Sequence, residues 1–230
     1  MTAGASAKSR VSIIIPTLRE GDNPARLARI FSGTDGVELV LALAEGDGAT
    51  RIPDGAHIKT VATSRGRARQ MNAGARSSSG DILLFLHADT VITPESLDNV
   101  RETLYRPGVV GGAYRLKIVS PRPSLKIVSA GANLRSRFLG MPYGDQAIFV
   151  KREVFENVGG YEDIPIMEDV RFVETLRKIG KVVLMEDCAE TSPRRWEKKG
   201  VVIATLRNIA LIALYKLGVN PNRLAGWYVS

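Results

Sequence analysis

Apolar runs alternate with amphipathic stretches through the first hundred positions. Val11-Ser12-Ile13-Ile14-Ile15 is β-branched and predicts a strand, ended by Pro16-Thr17, with residues 18–21 as the loop beyond it. Asn23 followed by Pro24 is a helix start, a capping residue with Pro at the first helical position. Residues 37–43 predict a second strand, followed by the loop Glu45-Gly46-Asp47-Gly48, and residues 57–62 a third. Residues 66–75 read as a helix with Ala68, Met71 and Ala75 facing inward and Arg65 and Arg69 opposite, near Arg67. Residues 82–86 form a continuous apolar run between Gly80-Asp81 and Asp89-Thr90, the mark of a strand buried on both faces. It stops on His87 and Asp89, where open α/β sheets place their ligand crevice. Thr93-Pro94-Glu95 then opens a helix to about Tyr105. This alternation predicts a right-handed, parallel α/β half.

The second half changes character. Residues 111–119 alternate enough for a strand, with an antiparallel placement left open. Residues 121–139 are basic, and helical or mobile; Gly144-Asp145-Gln146 precedes the apolar strand 147–150; residues 152–157 make a short helix. Met167-Glu168-Asp169-Val170 opens a helix to about Ile179, stopped by Gly180, with both acids in the first turn, where the helix dipole favours negative charge. Residues 181–185 read as a last short strand. Residues 201–217 are almost wholly apolar and near the length of a membrane span, but Arg207-Asn208 inside them argues against spanning. That segment suits a helix lying at a bilayer surface, a helix packed on the domain, or a dimer contact.

Composition narrows the function classes. The 230 residues are 44% hydrophobic and 24% charged, an ordinary globular balance, but 32 Lys and Arg against 24 acids leave +8. That excess suits an anionic partner such as nucleotide phosphates or acidic lipid. Aromatics are few and not interleaved with the basic residues, which disfavours nucleic acid. Cys188 is the single cysteine, so no intrachain disulfide and no cysteine-based zinc site is expected. Only His57 and His87 are present, which disfavours a multi-histidine zinc site. Residues 1–10 are small and polar, expected to be a disordered tail, and 11–15 are too short for a signal-peptide core. The expectation is a cytoplasmic protein, peripheral at the inner face of the membrane if the tail binds lipid.

Candidate chemistry gathers at the predicted strand ends: Thr17 and Glu20, Glu45 and Asp47, Asp89, then Asp145 and Glu168-Asp169. Carboxylates on one rim repel unless a cation neutralises them, which suggests Mg²⁺ or Mn²⁺ bound through oxygen. No dinucleotide-binding glycine fingerprint follows the first strand, and neither a Walker loop nor a Gly-x-Ser-x-Gly elbow is present. A dehydrogenase, a P-loop ATPase and a serine hydrolase are disfavoured.

In order and spacing, Ile13-Ile14-Ile15-Pro16-Thr17-Leu18-Arg19-Glu20, the Gly66 to Ala75 helix, the Asp81 to Thr90 strand and Met167-Glu168-Asp169-Val170 resemble glycosyltransferase family 2. His87-Ala88-Asp89, Tyr143-Gly144-Asp145-Gln146 and Arg194-Arg195-Trp196 are similar to its small bacterial arsenosugar-biosynthesis-type members. The resemblance implies an α/β, GT-A type, Rossmann-like, mainly parallel sheet flanked by helices, with a basic and apolar helical tail at the C-terminus. It divides the chain into a nucleotide-sugar-binding half, 11–106, an acceptor and catalytic half, 107–192, and the helical element 193–230. It implies an inverting hexosyltransferase that uses a nucleotide-diphosphate sugar, a divalent metal and a hydroxyl acceptor, either a small molecule or a lipid phosphate.

Residue by residue, the resemblance assigns Pro16, Thr17 and Glu20 to the nucleotide pocket and Arg67 to the neighbourhood of the donor. Asp89 matches the last acid of the family's Asp-x-Asp metal motif. His87 stands at the first position, leaving one metal carboxylate instead of two. Asp169, with Glu168 as the lesser alternative, matches the catalytic base. Asp145, Arg194, Arg195 and Trp196 join the donor-binding set. One departure stands out: Leu43 falls where the family has its base-reading Asp, and Glu45 or Asp47 could replace it only after a shift. That departure and His87 also fit a degenerate member that binds a sugar nucleotide or a partner without transfer. A nucleotidyltransferase is a third reading, disfavoured because residues 16–21 lack a glycine-rich basic loop.

Overall fold

The computed structural model describes residues 9–55 and 57–229. In chain order the elements are β1 (Val11–Thr17), α1 (Asn23–Ile30), β2 (Val37–Ala44), β3 (Ile58–Thr63), α2 (Arg67–Ser77), β4 (Ile82–Phe85), β5 (Thr90–Val91), α3 (Ser96–Tyr105), β6 (Val109–Ile118), α4 (Pro123–Leu139), a 3₁₀ turn (Gly144–Gln146), β7 (Phe149–Lys151), α5 (Arg152–Asn157), α6 (Glu168–Ile179), β8 (Lys181–Thr191), α7 (Arg194–Lys199), α8 (Val201–Lys216) and α9 (Pro221–Val229). The strands form one sheet in the order β3-β2-β1-β4-β7-β6-β8-β5. β3, β2, β1 and β4 are parallel, as the alternation predicts.

Side-chain alternation along the central strands builds two core layers. Ile13, Ile15 and Leu84 point to the face covered by α1 and α3, where they meet Leu27, Phe31, Leu97 and Val100. Ile14, Leu83 and Phe85 point to the other face, against Met71 of α2 and Phe172 and Leu176 of α6. Each fully buried side chain of this size contributes roughly 1.5–3 kcal/mol. Gly74 lets α2 lie close on β1, since a Cβ there would meet Ile14 Cγ2 at 2.5 Å. That close approach helps fix where the N-terminus of α2, and Arg67 with it, sits over the sheet.

Several expectations are corrected. β1 does not end before Pro16 but runs through Pro16 and Thr17, which pair with Ala42 and Leu43. Its pairing with β4 stops at Ile14, so the missing N–H of Pro16 breaks no ladder on that side. Asn23 does not cap α1: Asp22 holds the cap position, and the Asn23 amide donates to Glu20 Oε2 at 3.1 Å. Thr93-Pro94-Glu95 forms a turn, and α3 starts one residue later. β6 runs with β1 and β4, because β7 between them is antiparallel to both β4 and β6; the reversed strand is β7. β8 extends to Thr191 instead of stopping near Met185, paired along β6 past an irregularity at Ala113 and Arg115. Its outer part carries Glu186, Asp187 and Glu190, which interrupt the apolar pattern and sit half-exposed or exposed. β5 is too short to announce itself, and it pairs antiparallel with the end of β8.

The residues expected in an N-terminal tail fall outside the described part, except Ser9 and Arg10. The Arg10 N–H donates to Asp81 Oδ2 at 3.0 Å, and Ser9 C=O accepts from Arg101 Nε at 2.9 Å. The basic segment 121–139 is helical, as α4. The apolar tail segment is helix α8, packed on α4, α7 and α9. Among the described residues no helix is long and apolar enough to cross a membrane.

Glu38, buried on β2, ties the amino-terminal end of the sheet together. Its Oε1 accepts from Ser12 Oγ at 2.6 Å and from the N–H groups of Ser79 and Gly80, while Oε2 lies 2.8 Å from Lys59 Nζ. Burial opposes its charge, but Lys59, Ser12 and Ser79 hold the carboxyl down at about 2 against the ordinary 4.5. A carboxyl lowered by folding stabilises fully above its unfolded value, and the benefit fades as pH falls through the folded one. Glu38→Gln is therefore expected to lower stability at pH 7 by roughly 2–3 kcal/mol. Urea titrations of both proteins should show that gap shrinking as the pH falls below 4.5 toward about 2. An unchanged gap would refute the ionised Glu38 as its source.

Candidate active site

The carboxyl ends of β1 and β4 frame a cavity of about 160 Å³ lined by Pro16, Thr17, Leu18, Glu20, Arg67, Gln70, His87, Ala88 and Asp89. The structure thus brings together six of the residues singled out in the sequence. Gln70, which sequence reasoning passed over, clips the ends of two strands. Its amide donates to Thr17 C=O at 2.8 Å and to Ala42 C=O at 2.7 Å. The one signal for it was a polar side chain next to the apolar stripe of α2.

The loop after β2 closes the floor beside Glu20. Asp47 Oδ1 accepts from the N–H groups of Arg19, Ala49 and Thr50, and Oδ2 accepts from Thr50 Oγ1 at 2.6 Å. Thr50 Oγ1 in turn accepts from Glu20 N–H at 3.0 Å. Burial raises the Asp47 carboxyl, but the Thr50 hydroxyl and these amides outweigh it and hold it below the ordinary value. The carboxylate is committed to shaping this loop. Leu43, opposite Thr17 in β2, carries no polar group to read a base.

Asp89 stands at the mouth, largely buried. Arg194 Nη2 lies 3.7 Å from its Oδ2, and Arg194 Nε donates to Ser192 Oγ at 3.2 Å. The pairing that brings them together is β5 with β8: Thr90 faces Thr191, and Ser192 N–H donates to Asp89 C=O. A distant basic segment is delivered to Asp89 by two residues of strand. Trp196, three positions before the end of α7, points elsewhere. It is buried with Leu116, Ile118, Leu125 and Ala204 under α4 and α8. The structure does not bring it to the cavity, because an apolar cluster claims the indole. The side chain of Arg195 lies outside the described residues.

A second charged group adjoins the cavity through Arg67. Met167, with φ of 68°, turns the chain sharply into α6 and Glu168 enters buried, its Oε1 3.4 Å from Arg67 Nε. Asp169 Oδ2 accepts from Gly144 N–H at 2.6 Å, and Oδ1 accepts from Val170 N–H at 2.8 Å. Gly144 has no room for a side chain: a Cβ would collide with Arg67 Nη2 and come within 3.0 Å of Asp169 Oδ2. Asp145 follows in the same turn, half-buried. Burial disfavours charge on Arg67, but the surrounding Glu168, Asp169, Tyr161 and Asp145 outweigh it and raise its proton affinity. Burial first, and Asp169 second, push Glu168 up to about 7 against the pull of Arg67. The Tyr161 hydroxyl, buried by the same group, is pushed well above 10.0 and stays protonated.

Glu168 is thus ionised at a cost to folding. A carboxyl raised by folding stabilises fully below its unfolded value near 4.5, and that contribution is lost as pH rises through about 7. Glu168→Gln is expected to unfold at a higher temperature than the wild type at pH 8, with the difference vanishing near pH 4.5, on the order of 1–3 kcal/mol at most. Equal melting temperatures at both pH values would contradict the raised carboxyl.

The arrangement offers a small polar cavity lined by two carboxylates, Glu20 and Asp89, and the Arg67 guanidinium, with Arg194 beside Asp89 and the Glu168–Asp169 pair beyond Arg67. Such a site suits an anionic ligand, and the neighbouring acids suit proton transfer. Among the described residues no cluster of three His, Cys, Asp or Glu side chains could hold a metal unaided.

Comparison with known proteins bears on the reading. Residues 34–159, more than half of the chain, match the family model described as Glycosyl transferase family 2. No curated protein sequence matches the chain. Among solved structures, it is similar to the mannosyltransferase PcManGT from Pyrobaculum calidifontis, in complex with GDP-Man and Mn²⁺. That likeness has a TM-score of 0.62 at 16% identity, covering 88% of this chain and 65% of the other. The S. aureus TarS fragment 1–349 in complex with UDP-GlcNAc gives 0.59 at 12%, covering 80% and 58%. GalNAc-T7 with UDP, GalNAc and Mn²⁺ gives 0.59 at 12%, covering 82% and 44%. The chain spans less than two thirds of each of these neighbours, and at such identities the likeness is one of fold.

Proposed function

This chain belongs to glycosyl transferase family 2, and from that premise we propose that it moves a sugar from a nucleotide-diphosphate sugar to a hydroxyl acceptor, inverting the anomeric carbon. One observation carries the reading: Arg67 lines the same cavity as Asp89 and also pairs with Glu168 beside Asp169. A donor diphosphate at Asp89, Arg67 and Arg194 would set its sugar toward the Glu168–Asp169 pair. Pro16, Thr17 and Glu20 would hold the nucleoside, with residues 11–106 as the donor half and 107–192 as the acceptor half.

The chemistry balances with these residues alone in named roles. The acceptor oxygen attacks the anomeric carbon, the bond from that carbon to the diphosphate oxygen breaks, and the leaving group takes the electron pair. The hydroxyl proton passes to Asp169, which a positioned carboxylate can accept. Arg67 and Arg194 meet the charge that grows on the diphosphate. Gly144 N–H fixes the Asp169 carboxylate in place, and Glu168 and Arg67 set the field around it.

The residues also fit a divalent metal. Asp89, with the imidazole of His87 on the same wall, would hold Mn²⁺ or Mg²⁺ that takes most of its oxygens from phosphate and water. When bound, the ion supplies charge neutralisation at the leaving diphosphate. The complexes of PcManGT and GalNAc-T7 with Mn²⁺ support this choice.

A second reading rests on the committed Asp47 carboxylate and on Leu43: a member that binds a sugar nucleotide without transfer. The two part in one experiment. UDP-, GDP- and dTDP-sugars are incubated with the protein and Mn²⁺, and cleavage and product configuration are followed by phosphorus and proton NMR. Transfer predicts slow cleavage of one nucleotide's sugars, with inverted configuration in the first product. Retained configuration would sink the single-base scheme, and binding without cleavage, with or without added acceptor alcohols, would favour the second reading.

A further inference from the structure

The positive charge of this chain is segregated. Residues 121–139 and 193–230 hold eleven of the 32 Lys and Arg and a single acid, Glu197. The remaining 173 residues hold 21 Lys and Arg against 23 acids, so without these two segments the protein is slightly acidic. The fold brings the two segments together, α8 packing on α4 with Trp196 and Leu125 in one cluster between them.

The same two helices expose apolar stripes. On α4, Ile127, Leu134 and Phe138 recur at helical spacing, and on α8 Val202, Leu206 and Ile209 do so; all six are between 58% and 74% exposed. Scattered apolar residues on a surface need no explanation, but two adjoining helices with continuous stripes mark an interaction face. The core needs none of these side chains, since Leu125, Ala204 and Leu211 supply the inward contacts.

We propose that the α4–α8 face docks on the surface of a bilayer containing anionic lipid. The charge decides among occupants. Arg137, Arg194 and Lys216 are paired with acids of the domain, but Arg122, Lys126 and Arg223 stand exposed. A second copy would set like charge against like, whereas an anionic headgroup layer complements it. Nucleic acid would use the cations but leave the apolar stripes in water. A bilayer interface takes both, with the apolar residues at the headgroup boundary and Lys and Arg among the phosphates. Among the described residues no helix is long and apolar enough to cross a membrane; the proposed contact lies along the surface. Because α7 carries both Arg194, beside Asp89, and Trp196, under α8, docking would seat the cavity close to the membrane. The proposal does not depend on which reaction the cavity performs.

Flotation of the full chain tests it. Vesicles of phosphatidylcholine alone are compared with vesicles containing one part phosphatidylglycerol to two parts phosphatidylcholine, in low and high salt. Binding is expected only with phosphatidylglycerol, weakened about tenfold or more by high salt. Ile127→Ser/Leu134→Ser/Phe138→Ser and, separately, Arg122→Glu/Lys126→Glu should each weaken it about tenfold or more while circular dichroism stays unchanged. The lipid and salt comparison needs no variant, so it decides the matter even where a variant misfolds. Failure of the wild type to float would overturn the proposal. So would a dimer by sedimentation that the triple Ser variant dissolves in a protein that ignores vesicles. Capture by RNA or heparin that the triple Ser variant leaves intact, without flotation, would overturn it as well.

Discussion

Asp169→Asn is expected to lower sugar transfer by roughly 10³-fold while leaving nucleoside diphosphate affinity nearly unchanged. The amide keeps the size of the carboxylate and can still accept the Gly144 N–H that fixes Oδ2 at 2.6 Å. What it loses is the capacity to take the acceptor's proton. The readout is kcat from single-turnover cleavage, alongside binding measured separately. Wild-type turnover in this variant would refute the base assignment outright. Loss of binding together with turnover would show instead that Asp169 organises the cavity through Gly144 and Arg67.

Arg67→Met is expected to destabilise the fold by roughly 3 kcal/mol near pH 8 and to abolish donor binding. Arg67 is the cation that Glu168, Asp169 and Asp145 share, and its removal leaves buried acids facing one another. Glu168, already at about 7, would move higher, since Arg67 is what pulls it down. The stability loss should therefore be largest at high pH and smaller near 4.5, where Glu168 is protonated in the folded form of both proteins. The double variant Arg67→Met/Glu168→Gln should recover much of the stability and none of the binding. If Glu168→Gln raised stability no more in the Arg67→Met background than in the wild type, the two residues would not interact as the 3.4 Å contact indicates.

The parallel half of the sheet was legible because β1, β2 and β4 are buried on both faces. Residues 82–86 and 37–43 have no polar alternation to confuse them, and the helices between carry plain apolar stripes. The site was legible where single residues end such strands: Thr17, His87 and Asp89 sit where a strand-end argument puts them. What could not be read depended on pairing between distant segments. β8 hides its length behind Glu186, Asp187 and Glu190, and β5 is two residues of an antiparallel pair with no pattern of its own. That pair places Arg194 beside Asp89, so the basic segment's approach to the cavity rests on a contact that spans a hundred residues. Trp196 shows the converse. Its neighbours in sequence suggested a ligand-facing aromatic, but the helices after it offered an apolar cluster that buries the indole. Gln70 and Asp47 were opaque for another reason: each is polar, and only the carbonyl and amide groups around it reveal a structural task.

The central claim is that this cavity takes a nucleoside diphosphate beside Asp89. Calorimetric titration with UDP, GDP and dTDP, each with and without Mn²⁺, tests it most directly. The account predicts metal-dependent binding of one nucleotide, weakened about 100-fold or more in Asp89→Ala, as expected for an ion held by a single protein carboxylate. Absence of binding by all three nucleotides, in a protein shown to be folded, would contradict it.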